Sequence, residues 1–273
     1  MANQVDPSSG FCPQTRTFHS LRPDVPLPPP SQPLSITDYA LSLIPQTASS
    51  TTVLIDYDAD RRVSYSLFLQ QIKNLASSLA YLTPLSKGHV AFILSPASLH
   101  IPVLYYSLLS LGVTISPANP MGSESEVVHQ VELAQPVIAF ATSSIAHKIP
   151  KLRYGTVIID SPQFLSMTNG TSGSGNADNR GVRRVQISQS EPAAILFSSG
   201  TTGRVKGVLL THRNLIALIG GFYHLRHLMY SPENEPDPVP LFTLPLFHVF
   251  GFFMLIRAIS MGETLVLMQR FDF

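Results

Sequence analysis

Apolar residues recur along the chain in two different patterns. In one stretch they are spaced by four and three, which predicts a helix with one buried face. These positions are Phe68, Ile72, Leu75, Leu79 and Leu82. Elsewhere they form continuous short runs, such as VAFIL at 90–94 and AAILF at 193–197, which predict buried strands. Because such runs alternate with helical stretches after about residue 51, the sequence predicts a layered α/β domain whose largely parallel sheets are flanked by helices.

The remaining predicted elements follow the same alternation. Further helices are expected at about 36–43, at 99–112 with Gly112 as its C-cap, from the capping box of Ser123 and Glu126 to Ala134, near Thr211 and at 249–261. Further strands are expected at 52–57, 62–66, 113–116, 137–140, 156–160, 207–211, 241–245 and 264–268. The first two of these strands form a predicted hairpin, and Met167 to Asn179 is predicted to be a surface loop.

The two ends of the chain differ from this middle part. Residues 1–50 are rich in Pro and Ser and are interpreted as a leader that lies on or beside the fold. Residues 51–273 are interpreted as one domain. Its last predicted strand is followed only by QRFDF, so we expect an incomplete domain that lacks a covering helix and a C-terminal domain.

Composition limits the possible partners. The 273 residues are 44% hydrophobic and 13% charged with a formal net charge of +1, so nothing favours a nucleic-acid or membrane-surface partner. Prolines interrupt the longest uncharged stretch, and no membrane span is expected. The single cysteine, Cys12, gives no internal disulfide, and the N-terminus lacks a secretory pattern. An intracellular protein is expected.

The stretch SSGTTGRVKG carries the candidate chemistry. Its glycines allow backbone amides to approach an anion, its hydroxyls donate hydrogen bonds, and its lysine adds a positive charge. These features predict a site for a polyanion such as a nucleotide triphosphate. The order differs from a Walker A loop, because Lys206 is preceded by Val205 and followed by Gly207. The alternative is a polar turn with a solvated lysine, which fits the complete ten-residue order less well.

This stretch resembles the signature loop of the adenylate-forming superfamily. The longer run ILFSSGTTGRVKGVLLTHRNL, with LPLFHVFGF about thirty residues later, looks specifically like plant 4-coumarate:CoA ligases and related acyl-CoA synthetases. The resemblance implies the N-terminal domain fold of those enzymes. It also implies that a carboxylic acid and ATP, with Mg²⁺, give an acyl-adenylate and pyrophosphate. The thiol of coenzyme A then displaces AMP to form a thioester.

The resemblance also implies roles for individual residues, none of them assigned as catalytic. The residues expected to bind the phosphates are Ser198, Ser199, Gly200, Thr201, Thr202, Gly203, Lys206 and Gly207. His248, Phe250 and Met254 would line the pocket of the acid and adenylate, and Arg270 would contact coenzyme A. Coumarate enzymes usually have tyrosine in place of Phe250 and a small polar residue near Met254, so the pocket favours a more apolar acid.

Other histidines and acids receive structural interpretations. His212 is expected to be a neighbour of a helix cap, and Asp56, Asp58 and Asp60 are expected to solvate a hairpin without forming a metal site.

The motifs with which the resembled enzymes bind adenine and ribose do not occur in the sequence. We therefore expect negligible ligase activity from this chain alone. Three other functions stay open: a non-catalytic product, a fatty-acyl-CoA synthetase and a luciferase-like monooxygenase. The compartment stays open between cytoplasm and peroxisome.

Overall fold

The computed structural model describes residues 5–170, 185–198, 205–229 and 238–268. Its α-helices are α1 (Ile36–Ser42), α2 (Tyr65–Leu82), α3 (His100–Ser110), α4 (Glu124–Ala134), α5 (Pro162–Asn169), α6 (His212–Met229) and α7 (Val249–Ser260). Short 3₁₀ helices cover Gln46–Ser50 and Ala146–Lys148.

The strands form three sheets. They are β1 (Phe11–Cys12), β2 (Thr17–Phe18), β3 (Thr52–Asp56), β4 (Arg61–Ser64), β5 (Val90–Leu94), β6 (Thr114–Ala118), β7 (Ile138–Ala141), β8 (Thr156–Ile158), β9 (Pro192–Ser198), β10 (Lys206–Thr211), β11 (Leu241–Phe242) and β12 (Leu265–Leu267). The sheet orders are β1-β2, β10-β9-β6-β5-β7-β8 and β11-β12-β3-β4.

The six-stranded sheet confirms the predicted layered α/β architecture. Its strands pair in parallel from β9 to β8, and β10 pairs antiparallel with β9 at the edge. β5, β6 and β7 are buried along nearly their whole length, because helices cover both faces of a parallel sheet. The candidate phosphate-binding stretch therefore joins the last two strands at one edge of this sheet.

The four-stranded sheet contains the predicted hairpin, in which β3 and β4 pair antiparallel. β12 lies beside β3, and β11 lies beside β12, both in parallel. The prediction of a strand at 241–245 was wrong in its length, since only Leu241 and Phe242 pair with β12. The chain beyond Phe242 turns instead into α7, because Pro245 accepts a hydrogen bond from the amide of His248.

One hydrophobic core connects the two large sheets. It combines Leu54 of β3, Ile93 of β5, Tyr106 of α3 and Phe252 of α7, all of which are buried. A smaller cluster on the other face of the six-stranded sheet packs α4 against β5 and β7. The candidate site residues on α7 are thus attached to an element that lies deep in the core.

Two predictions about α2 and α5 need correction. Leu82 was expected on the buried face of α2, but it is 50% exposed because the helix ends there and the chain leaves in an extended conformation at Thr83. The predicted surface loop from Met167 begins later, since Met167 to Asn169 form the last turn of α5, which Gly170 ends in a left-handed conformation. Residues 171–179 of that predicted loop lie outside the described residues.

The leader contributes directly to the core. Ser35 caps α1 by accepting a hydrogen bond from the amide of Asp38, and Ile36, Tyr39 and Ala40 are buried. The division of the chain at residue 50 stays a prediction. Within the described part of the chain, no helix combines the length and apolarity that crossing a membrane requires.

Candidate functional site: a strand hairpin and the start of a core helix

The β9–β10 hairpin brings together the two ends of the candidate phosphate-binding stretch. Ser198 lies opposite Lys206, and both residues are exposed. Five predicted phosphate-binding residues between them, Ser199, Gly200, Thr201, Thr202 and Gly203, lie outside the described residues. A hydroxyl and an ammonium group therefore stand side by side on adjacent strands, where both can reach one anion.

Gly207 lies within β10, opposite Phe197. A Cβ at this position would be 3.0 Å from the Cγ2 atom of Ile195, which is tighter than an ordinary contact. The absence of a side chain at Gly207 thus gives room to the neighbouring strand. The role of Gly207 in phosphate binding stays a prediction.

The base of the hairpin is joined to the start of α6. Thr211 precedes the helix, its hydroxyl accepts from the amide of Asn214 at 3.2 Å, and the Asn214 side chain accepts from the amide of Thr211 at 2.9 Å. The next two amides donate back to the segment before β9, His212 to the carbonyl of Glu191 at 3.1 Å and Arg213 to that of Gln189 at 2.7 Å. Amides that a helix start leaves unpaired are satisfied in this way.

His212 is completely buried, and its Nδ1 accepts a hydrogen bond from the amide of Ile36 at 3.0 Å. Burial lowers the pKa of His212 to about 4, although the charges of Glu191 and Asp38 oppose this shift. The ring is therefore neutral near pH 7 and joins the leader to α6. The structure places it as the first residue of the helix, next to the cap, as the sequence predicted.

The second group of candidate residues lies at the start of α7. His248 is the N-cap residue, and its Nδ1 accepts from the amide of Phe250 at 3.4 Å. Because Nδ1 accepts, the proton of the neutral ring is on Nε2. His248 and Phe250 are exposed, with Phe250 at 54%, and Met254 follows one turn later on the same face of the helix. An exposed ring donor thus stands beside an apolar strip.

Core residues that the sequence analysis did not single out support this start of α7. The Tyr105 hydroxyl donates to the carbonyl of Leu246 at 3.4 Å, and its ring packs edge-on against Phe252 at 5.7 Å. A Cβ at Gly251 would overlap the carbonyl oxygen of Pro245, so only glycine fits there. The glycine in HVFGFF was the available sequence signal for this close packing.

The two groups belong to different sheets, since the hairpin ends the six-stranded sheet and α7 follows β11 of the four-stranded sheet. Arg270, the predicted contact of coenzyme A, lies outside the described residues. Within residues 5–170, 185–198, 205–229 and 238–268, no three histidine, cysteine or acidic side chains form a group that could hold a metal ion.

Comparison with known families gives this geometry a context. The family model described as "AMP-binding enzyme" matches residues 45–273. The chain belongs to this family. The matched region contains the β9–β10 hairpin and α7, so both groups of candidate residues lie within the part of the chain that this family model covers.

The chain is similar to curated plant proteins over nearly its whole length. It is 54% identical to 4-coumarate–CoA ligase-like 9 of Arabidopsis thaliana, covering 98% of this chain and 49% of that protein. It is 42% identical to 4-coumarate–CoA ligase-like 5 of Oryza sativa subsp. japonica, covering 98% and 50%. It is 30% identical to Peroxisomal OPC-8:0-CoA ligase 1 of Arabidopsis thaliana, covering 98% and 48%. The chain spans about half the length of the curated relatives it matches.

Solved structures confirm the fold. The N-terminal domain of FACL13 from Mycobacterium tuberculosis superposes with a TM-score of 0.71 at 19% identity, covering 88% of this chain and 58% of that one. ATP-bound MatB from Rhodopseudomonas palustris superposes with a TM-score of 0.70 at 22% identity, covering 88% and 46%. The predicted fold class, the N-terminal domain fold of adenylate-forming enzymes, is therefore correct.

Proposed function

We propose that this AMP-binding chain supplies the phosphate-binding hairpin and part of the acid pocket of an ATP-dependent carboxylate:CoA ligase. The carboxylate attacks the α-phosphate of ATP and releases pyrophosphate, and the thiol of coenzyme A then displaces AMP from the acyl-adenylate. The observation that carries the proposal is the pairing of Ser198 with Lys206 at the ends of SSGTTGRVKG. Family membership and the names of the plant relatives support it.

The hairpin would act through charge and position. In phosphoryl-type transfer, negative charge increases on the departing pyrophosphate, and donors already fixed in place stabilise it. The Lys206 ammonium group is exposed at the beginning of β10, and the Ser198 hydroxyl lies on the neighbouring strand. We propose that the hydroxyls and glycines of residues 199–203 complete the same phosphate site.

The start of α7 would bind the acid. The Nε2–H of His248 is able to donate to a carboxylate or to an adenylate oxygen, while Phe250 and Met254 offer apolar surface. Because neither of the two apolar side chains supplies a polar group, we propose an apolar acid, either fatty-acid-like or a phenylpropanoid without a ring hydroxyl, in preference to a hydroxycinnamate.

Coenzyme A and Mg²⁺ complete the proposal. Arg270 is our candidate for binding coenzyme A, on the sequence resemblance alone. The described residues offer no cluster of metal ligands. We propose Mg²⁺ as an ion that accompanies the phosphates of ATP, and no step is assigned to it.

A binding experiment tests the phosphate site. Lys206→Met removes the ammonium group opposite Ser198, and Lys151→Met removes an exposed lysine elsewhere. We expect the first variant to weaken ATP binding by about tenfold, since a charge-assisted hydrogen bond contributes roughly 1.5–3 kcal/mol, and the second to bind as the unsubstituted chain does. Calorimetric titration measures both. Equal affinities of the two variants would contradict the assignment.

The acid preference has a separate test. Non-hydrolysable acyl-adenylate analogues that carry a medium-chain acyl group or a coumaroyl group compete for the same site. We expect the chain to bind the medium-chain analogue more tightly, and Phe250→Tyr to reduce that preference. Tighter binding of the coumaroyl analogue by the unsubstituted chain would show that the apolar acid is the wrong choice.

The compartment is also part of the proposal, and it stays between cytoplasm and peroxisome. The relative named Peroxisomal OPC-8:0-CoA ligase 1 supports the second possibility. Imaging of a fluorescently tagged chain beside a peroxisomal marker decides between them.

A further inference from the structure

We propose that Gln189 and Arg213 are positioning residues for the phosphate-binding hairpin, and that they act by holding the proline-rich segment 28–36 across its base. This inference rests on the proposed function of the hairpin. We call Gln189, His212 and Arg213 together the leader clamp. The hydrogen bonds described for these three residues join the leader, α1, α6 and the segment before β9, so we propose that their effect passes through β9, β10 and α6.

Gln189 is the centre of the leader clamp. The residue is buried, with 1% exposure, and its amide uses both its nitrogen and its oxygen. The Nε2 atom donates to the carbonyl of Pro29 at 2.8 Å and to that of Gln32 at 2.9 Å. The Oε1 atom accepts from Arg213 at 2.9 Å. A buried amide with this many partners fixes the position of each segment that it joins.

Arg213 connects the other arm of the hairpin to the same place. Its Nη1 donates to the carbonyl of Pro28 at 2.6 Å and to Gln189, and its backbone amide donates to the carbonyl of Gln189 at 2.7 Å. Gln189 precedes β9 by three residues, and Arg213 follows β10 by two. The clamp therefore joins the entry and exit of the hairpin to each other and to the leader.

The leader continues along α6 beyond these bonds. The amide of Ile36 donates to Nδ1 of His212 at 3.0 Å. Farther along the helix, a Cβ at Gly220 would meet Leu27 at 2.6 Å and Tyr39 at 2.8 Å, so the leader packs directly on the backbone of α6. The prolines of segment 28–36 restrict its backbone, which lowers the conformational entropy lost when the segment is held in place.

The position of the hairpin makes its base important. β10 is the edge strand of the six-stranded sheet, and Val208 and Leu209 are 46% and 54% exposed. Apolar burial therefore holds this strand to the core only weakly. Ser198 and Lys206 lie at the end of the hairpin opposite to the clamp. Six strand residues span about 20 Å, so a tilt of about 3° at the base moves that end by about 1 Å. Displacements of this size can weaken catalysis by roughly a hundredfold.

The competing explanation is that Arg213 only stabilises the fold. A second arginine on the same helix distinguishes this explanation from the positioning role. Arg226 also uses Nη1 for two acceptors, the carbonyl of Met261 at 3.1 Å and the carboxylate of Glu263 at 3.3 Å. Loss of either arginine removes two side-chain hydrogen bonds from α6, and loss of Arg226 also removes an ion pair with the buried Glu263. Only loss of Arg213 releases the base of the hairpin.

The experiment compares Arg213→Ala, Arg213→Lys and Arg226→Ala in the 273-residue chain. ATP affinity is measured by calorimetric titration, thermal midpoint by scanning calorimetry, and amide hydrogen exchange is followed at 192–198 and 206–211. We expect Arg213→Ala to weaken ATP binding by about tenfold and to speed exchange in both strands. Arg213→Lys restores most of the affinity, because a single Nζ can make both bonds of Nη1. Arg226→Ala lowers the midpoint by a similar amount and leaves affinity and hairpin exchange unchanged.

Two outcomes overturn the positioning role. One is unchanged ATP affinity in Arg213→Ala despite a lower midpoint, and the other is an equal loss of affinity in Arg226→Ala. If the unsubstituted chain binds no ATP, the proposed function fails. Amide hydrogen exchange in β9 and β10 then tests the leader clamp independently, because the clamp requires faster exchange in Arg213→Ala than in Arg226→Ala.

Discussion

The hairpin and the start of α7 hold their candidate residues by different physical means. The start of α7 lies on the core, where Tyr105 supports Leu246 and Gly251 packs against Pro245. The outer strand of the hairpin, β10, lies at a sheet edge, where exposed Val208 and Leu209 give it little apolar support, whereas the inner strand β9 is largely buried. The base of the hairpin is also fixed by hydrogen bonds. Packing therefore positions the proposed acid-binding residues, and the proposed phosphate-binding residues depend on polar contacts as well as on the burial of β9.

Because of this difference, we expect substitutions in the two regions to affect different properties of the protein. Substitutions that disturb α7 should lower the free energy of unfolding, because apolar burial is the dominant favourable term in folding. Substitutions at the hairpin base should cost less stability near pH 7 and should in addition alter affinity or pH dependence. The predictions below test this separation, beginning with the largest expected effect.

Gly251→Ala should be the most destabilising change. The added methyl group overlaps the backbone oxygen of Pro245, and backbone must move to admit it. We expect a loss of about 3 kcal/mol or more in the free energy of unfolding. Urea denaturation measures it. Gly221→Ala on α6 is the control, since nothing lies within 4 Å of the added atom, and alanine should stabilise that helix by about 0.5–1 kcal/mol. Equal effects of the two changes would show that α7 is not packed as described.

His212 gives the hairpin side its pH dependence. Its folded pKa of about 4 lies below the ordinary value of 6.5, so the unfolded chain binds the proton more readily. The contribution to stability is complete above pH 6.5 and is lost as the pH falls towards 4, by about 3 kcal/mol in total.

Denaturation curves across that pH range provide the measurement. His212→Asn keeps an acceptor for the amide of Ile36 and removes the titration, so its stability should change less between pH 6.5 and 4 than that of the unsubstituted chain. His147→Asn at an exposed position should retain the full dependence. A His212→Asn curve that follows the unsubstituted chain would mean that His212 does not titrate with folding.

Tyr65→Phe should have an intermediate effect at the far end of α7. The Tyr65 hydroxyl donates to the carbonyls of Ile259 at 3.1 Å and Glu263 at 3.0 Å. Its removal takes a donor from both carbonyls, although that of Ile259 still accepts from the amide of Gly262. The expected loss is about 1–2 kcal/mol in the free energy of unfolding. Exposed Tyr57→Phe is the matched control and should change stability by less than about 0.5 kcal/mol. Stability equal to that of the control would show that the Tyr65 hydroxyl does not help to hold α7.

Thr211→Ala should produce the smallest change. Its hydroxyl accepts from the amide of Asn214 at the start of α6, and loss of such a cap costs about 1 kcal/mol. Thr211→Ser keeps the hydroxyl and should restore stability. If Ser and Ala are equally destabilising, the methyl group and not the cap accounts for the loss. The comparison requires only thermal unfolding of the three proteins.

The order of elements was predictable because it depends on local spacing. The capping box of Ser123 and Glu126, the hairpin of β3 and β4, and the buried runs of β5 and β7 all carry their signal within a few residues. The short length of β11 was not predictable, since its end depends on which residues of β12 lie opposite.

The candidate residues were predictable as motifs, whereas their supports were not. SSGTTGRVKG and LPLFHVFGF are contiguous, so the sequence alone points to Lys206 and His248. Gln189 joins Pro29 across 160 positions of the chain, and Tyr105 joins Leu246 across 141. A single sequence contains no signal for contacts at such separations, because neither residue type requires a particular distant partner.

The assignment of the hairpin to nucleotide phosphate is the central claim, and hydrogen exchange with and without ATP tests it most directly. We predict that ATP slows exchange in peptides covering 197–207, with much smaller changes in α2 and α5, which pack against each other. The same chain with Lys206→Met should lose that protection. Protection of another region by ATP, with the hairpin unchanged, would contradict the assignment.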